Sequence, residues 1–159
     1  MKPKPFKPRV YEHDERYIRD HGTGLVWHRC MHRALYADTD RSTLVYHANY
    51  LRYFEIGRTS LMRDAAYPYR LIEENGYVYP VIELSIHFYG PLYYDDTMWI
   101  HTRPAAIERV KLGFNYVITH GETAHIICEG FTKHCALNTA GRVVAVDSQT
   151  AFLWEAFPK

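Results

Sequence analysis

The sequence predicts an α+β domain in which one long amphipathic helix packs on an antiparallel sheet of about five or six strands. Three observations carry this. Residues 50–65 place apolar side chains at helical spacing. The second half of the chain alternates apolar and polar residues with period two, interrupted by turn formers. A single helix among strands has only the sheet on which to bury its stripe, with the helix on one face.

In chain order, residues 1–8 (MKPKPFKP) alternate Lys and Pro and read as an extended tail, because Pro lacks an N–H and disfavours helix before it. Asp20-His21-Gly22-Thr23-Gly24 is a cluster of turn formers between two runs of β character. Residues 1–24 therefore read as an N-terminal extension, part of it a hairpin, ahead of a domain spanning 25–159. Residues 25–36 read as a strand with Trp27, Met31 and Leu35 on one side. In the helix, Tyr50, Phe54, Gly57, Leu61 and Ala65 fall on one stripe, flanked by Leu51, Tyr53 and Met62. Gly57 costs about 1 kcal/mol of helix propensity against Ala, which close approach of a strand would offset. Glu55 and Arg58, three residues apart at the edge of the stripe, are expected to pair.

Pro68 should end or bend the helix, residues 71–74 add one helical turn, and Asn75-Gly76 marks a turn. Residues 81–89 read as a half-buried strand with Ile82, Leu84, Ile86 and Phe88 on one face. Further strands are expected over 97–103, ended by Pro104, then over 111–120 and 125–137. After a turn at 138–141, residues 143–146 form a last strand.

The bulk properties exclude several classes. The chain has 159 residues, 47% of them hydrophobic, enough for one core. A net charge of +1 offers no bulk field for nucleic acid or a membrane surface. No apolar run has the roughly 18 residues a membrane span needs, and the basic N-terminus lacks the apolar core of a secretory signal. Cys30, Cys128 and Cys135 are odd in number and lack C-x-x-C spacing, which implies free thiols and a cytoplasmic setting. Ten His contain no H-E-x-x-H and no Cys/His cluster, so no metal is expected. His28 and His32 share one side of their strand but are spaced too loosely for a closed metal site, and the His are read as surface or pocket-lining groups.

Asp38-Thr39-Asp40 lies in a loop between a strand and the long helix. Helix N-termini present unpaired N–H groups and partial positive charge, which stabilise an oxygen that becomes anionic in a transition state. A carboxylate in such a loop can act as a nucleophile or as a base toward water. It can equally close a turn or cap the helix, and the spacing alone leaves both readings open.

The run Tyr36-x-Asp38-Thr39-Asp40, followed by VYHANYLRYFE at residues 45–55 and by Arg58, resembles the signature of the 4-hydroxybenzoyl-CoA thioesterase-like family. The similarity extends over most of residues 25–146. It implies the hotdog fold, a long central helix wrapped by an antiparallel sheet, and hydrolysis of an acyl-CoA to free acid and CoA. Carried onto this chain, Asp40 takes the position of the catalytic carboxylate, as nucleophile or general base. His47 takes the position whose backbone N–H points at the thioester carbonyl, and Tyr46 and Asn49 line or brace that turn. No cofactor is implied beyond the CoA of the substrate. The resemblance also implies a homodimer, or a homotetramer built from two, with sites at the interface. The family's D-x-x-G-[IV]-V becomes Asp40-Arg41-Ser42-Thr43-Leu44-Val45 here. Thr43 stands for Gly, and Arg41 adds a charge beside Asp40; both bear on substrate range. Glu55 is a second candidate base, His134 a strand-end residue near the site by analogy, and Arg103, Arg109, Lys111 and Arg142 are candidates for CoA phosphates. Action on acyl-carrier-protein thioesters, or acyl-CoA binding without turnover, are the alternatives.

Overall fold

The computed structural model describes residues 2–159; Met1, part of the expected tail, lies outside the described residues. Strands β1 (Pro8–Tyr11), β2 (Asp14–Asp20) and β3 (Val26–Arg33) come first. A loop with a short 3₁₀ turn at Tyr36–Asp38 and a second at His47–Asn49 leads into helix α1 (Tyr50–Asp64). Helix α2 (Tyr69–Glu74) and strands β4 (Tyr77–Val78), β5 (Val81–Phe88), β6 (Thr97–Ile107), β7 (Lys111–His120), β8 (Ile126–Cys135) and β9 (Leu137–Asn138) follow, and helix α3 (Ser148–Ala156) ends the chain.

Seven strands form one antiparallel sheet in the order β1-β2-β3-β6-β7-β8-β5, while β4 and β9 pair separately. This exceeds the expected five or six because the first 24 residues contribute β1 and β2. The turn at residues 21–25 joins β2 to β3, whose register pairs Ile18 with Trp27, so the expected hairpin spans position 24. On the face away from α1, Phe6 lies edge-on to His101 and Trp27 at 4.8 and 5.9 Å, over a small second core of Ile18, Trp27 and Val117.

α1 lies across the sheet, mostly on β6. Tyr50, Tyr53, Phe54, Gly57, Leu61 and Met62 are its buried residues, and Phe54 stacks on Tyr116 of β7 at 4.2 Å. Leu51, expected to flank the stripe, is exposed. A Cβ at Gly57 would stand 2.7 Å from Ile100 Cγ2 and closer still to Thr102 Oγ1. The glycine is what lets helix and sheet approach.

Several expectations are corrected. β6 does not end at Pro104; it runs to Ile107 with a register shift after Pro104, and a bulge is where a strand tolerates proline. Residues 143–146 form no strand: Val143 bridges Leu137 and the Val144 N–H donates to the Ala136 carbonyl, but by Val146 the chain has left that edge and its N–H donates to the Arg109 carbonyl. Besides the helical turn at α2, which Pro68 caps, the chain holds α3. That helix carries its own signal: Asp147 is the N-cap and accepts the Thr150 N–H at 3.0 Å. Asp147 also accepts hydrogen bonds from the Tyr67 and Tyr79 hydroxyls, which anchor α3 to the body. The edge strand β5 alternates as expected but is not half buried: Val81, Ile82, Leu84 and Phe88 are 41–49% exposed.

Candidate active site

The loop between β3 and α1 is folded by its own backbone. Asp40 N–H donates to the Leu44 carbonyl at 2.8 Å and Thr43 N–H to the Asp40 carbonyl at 3.1 Å, making a tight turn over Asp40-Arg41-Ser42-Thr43. A Thr39–Val45 bridge closes its base, and a Leu44–Tyr93 bridge fastens it to the segment after β5. Thr43 has φ +68°, a left-handed conformation that glycine adopts freely and a β-branched residue does not. The substitution therefore keeps the turn and places the strain on Thr43.

Asp38 and Asp40 lie in different surroundings. Asp38 is 2% exposed. Its Oδ2 accepts from the Leu35 N–H and the Tyr53 hydroxyl, each at 2.9 Å, and its Oδ1 lies 3.3 Å from the Arg52 guanidinium. Burial, with the Asp38 carboxylate beside it, pushes the Tyr53 hydroxyl above its ordinary pKa. The Asp38 carbonyl accepts from the Tyr46 N–H at 2.9 Å and from Asn49 Nδ2 at 2.8 Å. Asp38 is thus the structural carboxylate that ties the loop to the start of the helix. Asp40 is exposed; its Oδ1 accepts the Ser42 N–H at 2.7 Å, which orients the carboxylate.

At the helix start, Asn49 N–H is taken by the Tyr46 carbonyl. The His47 and Ala48 N–H groups come earlier on the turn, where no intrahelical acceptor exists. The Tyr46 and His47 rings lie 4.4 Å apart on the exposed rim. The structure thus brings Asp40, Arg41, Thr43, Tyr46, His47 and Asn49 into one loop-and-helix-start unit, with Asn49 as the brace. Sequence reasoning had not assigned Asp38 and Tyr53 as the buried partners beneath it; the D-x-D spacing was their signal.

Other candidates fall elsewhere. Glu55 and Arg58 do not pair: Glu55 is exposed, and Arg58 turns toward the Tyr69 and Tyr116 hydroxyls. His28 is not a surface group. It is wholly buried, with Nε2 2.7 Å from Asp64 Oδ2 near the far end of α1. His32 lies 5.4 Å from the Tyr53 ring, beside the loop. His134 is wholly buried between Thr132 Oγ1 (2.8 Å) and the Tyr79 carbonyl (2.9 Å), and burial pushes its pKa down to about 4. Arg103 donates to the Val26 carbonyl, on a different pair of strands from the loop. Cys30, Cys128 and Cys135 are free thiols, and burial raises the first two above the ordinary thiol range.

The sequence pattern of the thioesterase-like superfamily matches residues 35–153. The chain belongs to that superfamily. The matched region starts at Leu35, near Asp38, and takes in the loop before α1, α1 itself and the strands that follow it. YneP of Bacillus subtilis, provisionally named an acyl-CoA thioesterase, is 43% identical over 67 residues, 42% of this chain and 49% of that one. The chain thus spans about half the length of that relative. A probable thioesterase from Bartonella henselae superposes with TM-score 0.71 at 28% identity, covering 76% of this chain and 99% of that one. A 1,4-dihydroxy-2-naphthoyl-CoA thioesterase from Synechocystis superposes with TM-score 0.75 at 16% identity over 80% and 95% of the two chains, a likeness of fold alone. These neighbours make the fold a hotdog: α1 is the filling and the seven-stranded sheet the wrap.

Proposed function

We propose that the protein is an acyl-CoA thioesterase that hydrolyses its substrate to free acid and CoA at the loop between β3 and α1. One observation carries the reading: an oriented, exposed Asp40 carboxylate on a turn that the Asp38 carbonyl fastens, through the Tyr46 N–H and Asn49 Nδ2, to the start of the helix. The acyl-CoA thioesterase name of YneP supports it.

The thioester oxygen is placed at the helix start, where the His47 N–H donates to it and draws charge from the carbonyl carbon. Asp40 Oδ2 then either attacks that carbon or takes a proton from an attacking water. In the first route the C–S bond breaks, CoA leaves as its thiolate, and water then hydrolyses the mixed anhydride on Asp40 to free acid. In the second the water oxygen bonds to the carbon, the C–S bond breaks, and the departing thiolate can take up the proton that Asp40 accepted. Tyr46 shields the carbonyl, Asn49 holds the turn, and Arg41 and Thr43 meet the substrate at the loop tip. No cofactor enters beyond CoA. We propose a homodimer, which could pair again to a tetramer. The support is β5, an edge strand whose exposed row of Val81, Ile82, Leu84 and Phe88 would be a liability in a monomer.

The test is release of free thiol from a panel of acyl-CoAs, with Asp40→Asn beside wild type. Removing the carboxylate's charge should lower kcat by at least about a hundredfold, the scale of one general base, while leaving the melting temperature nearly unchanged. Equal rates would remove Asp40 from the mechanism. Tight acyl-CoA binding without turnover by wild type would instead make this a binding module.

A further inference from the structure

α1 carries Leu51, Glu55 and Arg58 at spacings of four and three, one continuous face that begins a turn after His47. With Val81 and Leu84 of β5 and Thr132 of β8 they line a cavity of about 310 Å³. That is the lower end of the range for small-molecule sites. Leu51, Val81 and Leu84 give it apolar wall, Arg52 and Glu55 lie along its helix side, and Arg58 and Thr132 complete the lining.

Arg58 is the unusual group in this lining. It is half-buried, and among the described residues it forms no ion pair. Its guanidinium lies beside the hydroxyls of Tyr69 and Tyr116, which burial holds above their ordinary pKa and neutral, an effect the Arg58 charge only partly opposes. Behind them, the Tyr116 hydroxyl meets Thr132 Oγ1 at 2.7 Å, and Thr132 meets His134 Nε2 at 2.8 Å. None of these groups is an anion at neutral pH. Of the other charges on the cavity, Arg52 faces Asp38 at 3.3 Å and Glu55 is exposed at the rim. A guanidinium offers five donors in a fork that fits a carboxylate. Leaving it half-buried without one has a cost that a ligand anion would remove.

We propose that this cavity receives the acyl group and that Arg58 binds an anionic group at the acyl chain's far end, so that the preferred substrates are carboxyacyl-CoA thioesters. The inference rests on the thioesterase reading above, and it places the cavity at the seam of the homodimer proposed there, with Val81 and Leu84 of β5 on the partner-facing wall. Arg58 lies eleven residues beyond His47, about 16 Å along the axis at helical rise. Its side chain leans back toward the helix N-terminus. The span suits a medium-length chain rather than an acetyl or malonyl group.

The experiment compares thiol release from adipoyl- and suberoyl-CoA with that from hexanoyl- and octanoyl-CoA, for wild type, Arg58→Met and Arg58→Lys. Wild type should favour the carboxyacyl member of each pair by roughly ten- to a hundredfold in kcat/KM, the scale of a hydrogen bond to a charged group. Arg58→Met should bring that ratio to about one, and Arg58→Lys should fall between. Should Arg58→Met not fold, Arg58→Gln, which keeps hydrogen-bond donors near the Tyr69 and Tyr116 hydroxyls without the charge, takes its place and should also bring the ratio to about one. Equal rates on both members of a pair in wild type, or an unchanged ratio in the uncharged variant, overturns the Arg58 assignment and leaves the thioesterase reading standing. No thiol from any of the four substrates overturns both.

Discussion

Replacing Thr43 with glycine should stabilise the protein, and the size of the gain follows from one dihedral angle. Thr43 sits at φ +68°. The left-handed conformation costs an L-residue about 1–2 kcal/mol, and β-branching puts Thr toward the upper end. The Thr43 side chain is exposed and makes no hydrogen bond among the described residues, so little folded-state energy offsets that cost. Glycine removes the strain but adds freedom to the unfolded chain, worth about 0.5–1 kcal/mol against it. The net is a gain of about 1 kcal/mol, or about 2–4 °C in melting temperature for a domain of this size. Thr43→Asn should fall between, because Asn tolerates the left-handed region better than Thr. Thr43→Ala keeps most of the penalty and should change little. Thermal and urea melts of the four proteins, which should rank Gly, Asn, then Ala with Thr, provide the assay. A Thr43→Gly protein that melts below wild type would refute the strain argument and show that the Thr side chain holds the loop.

Asp38→Asn should cost about 2 kcal/mol in urea unfolding, because one amide cannot accept from the Leu35 N–H and the Tyr53 hydroxyl while also facing Arg52; thiol release should fall with it as the loop loosens. Gly57→Ala gains about 1 kcal/mol of helix propensity, but its Cβ would meet Ile100 and Thr102, and overpacking of about 1–3 kcal/mol outweighs the gain; the variant should melt lower. Burial holds the His101 pKa down to about 3 and the His134 pKa down to about 4. The unfolded chain therefore takes up protons that the folded one refuses, and stability falls as pH drops from about 6.5 toward 4. Each contributes a slope of up to about 1.4 kcal/mol per pH unit. Urea midpoints between pH 7 and 4 should show the decline, and His134→Gln should make it shallower.

Much of this protein was legible in local pattern. Period-two alternation located β5 and β7, and a β-rich run located β8. The 3.6-residue stripe located α1, and Gly57 announced the close strand that offsets its poor propensity. The D-x-D loop before a helix already framed the site, since an unpaired helix N-terminus is a consequence of backbone geometry alone. Tertiary structure decided what depends on residues far apart in the chain. Only the β2–β3 pairing makes the first 24 residues part of the main sheet. Only the fold buries Asp38 under Tyr53 and leaves Asp40 free, although both carboxylates sit in the same polar tripeptide. Pro104 continues its strand because a bulge accommodates it, and residues 143–146 lack a strand because Val146 turns from the Leu137 edge to the Arg109 carbonyl. The Glu55–Arg58 spacing permitted an ion pair, but hydroxyls from α2 and β7 drew the guanidinium inward. Local spacing fixes which side chains can meet; which of them do meet is set by burial, and burial belongs to the whole chain.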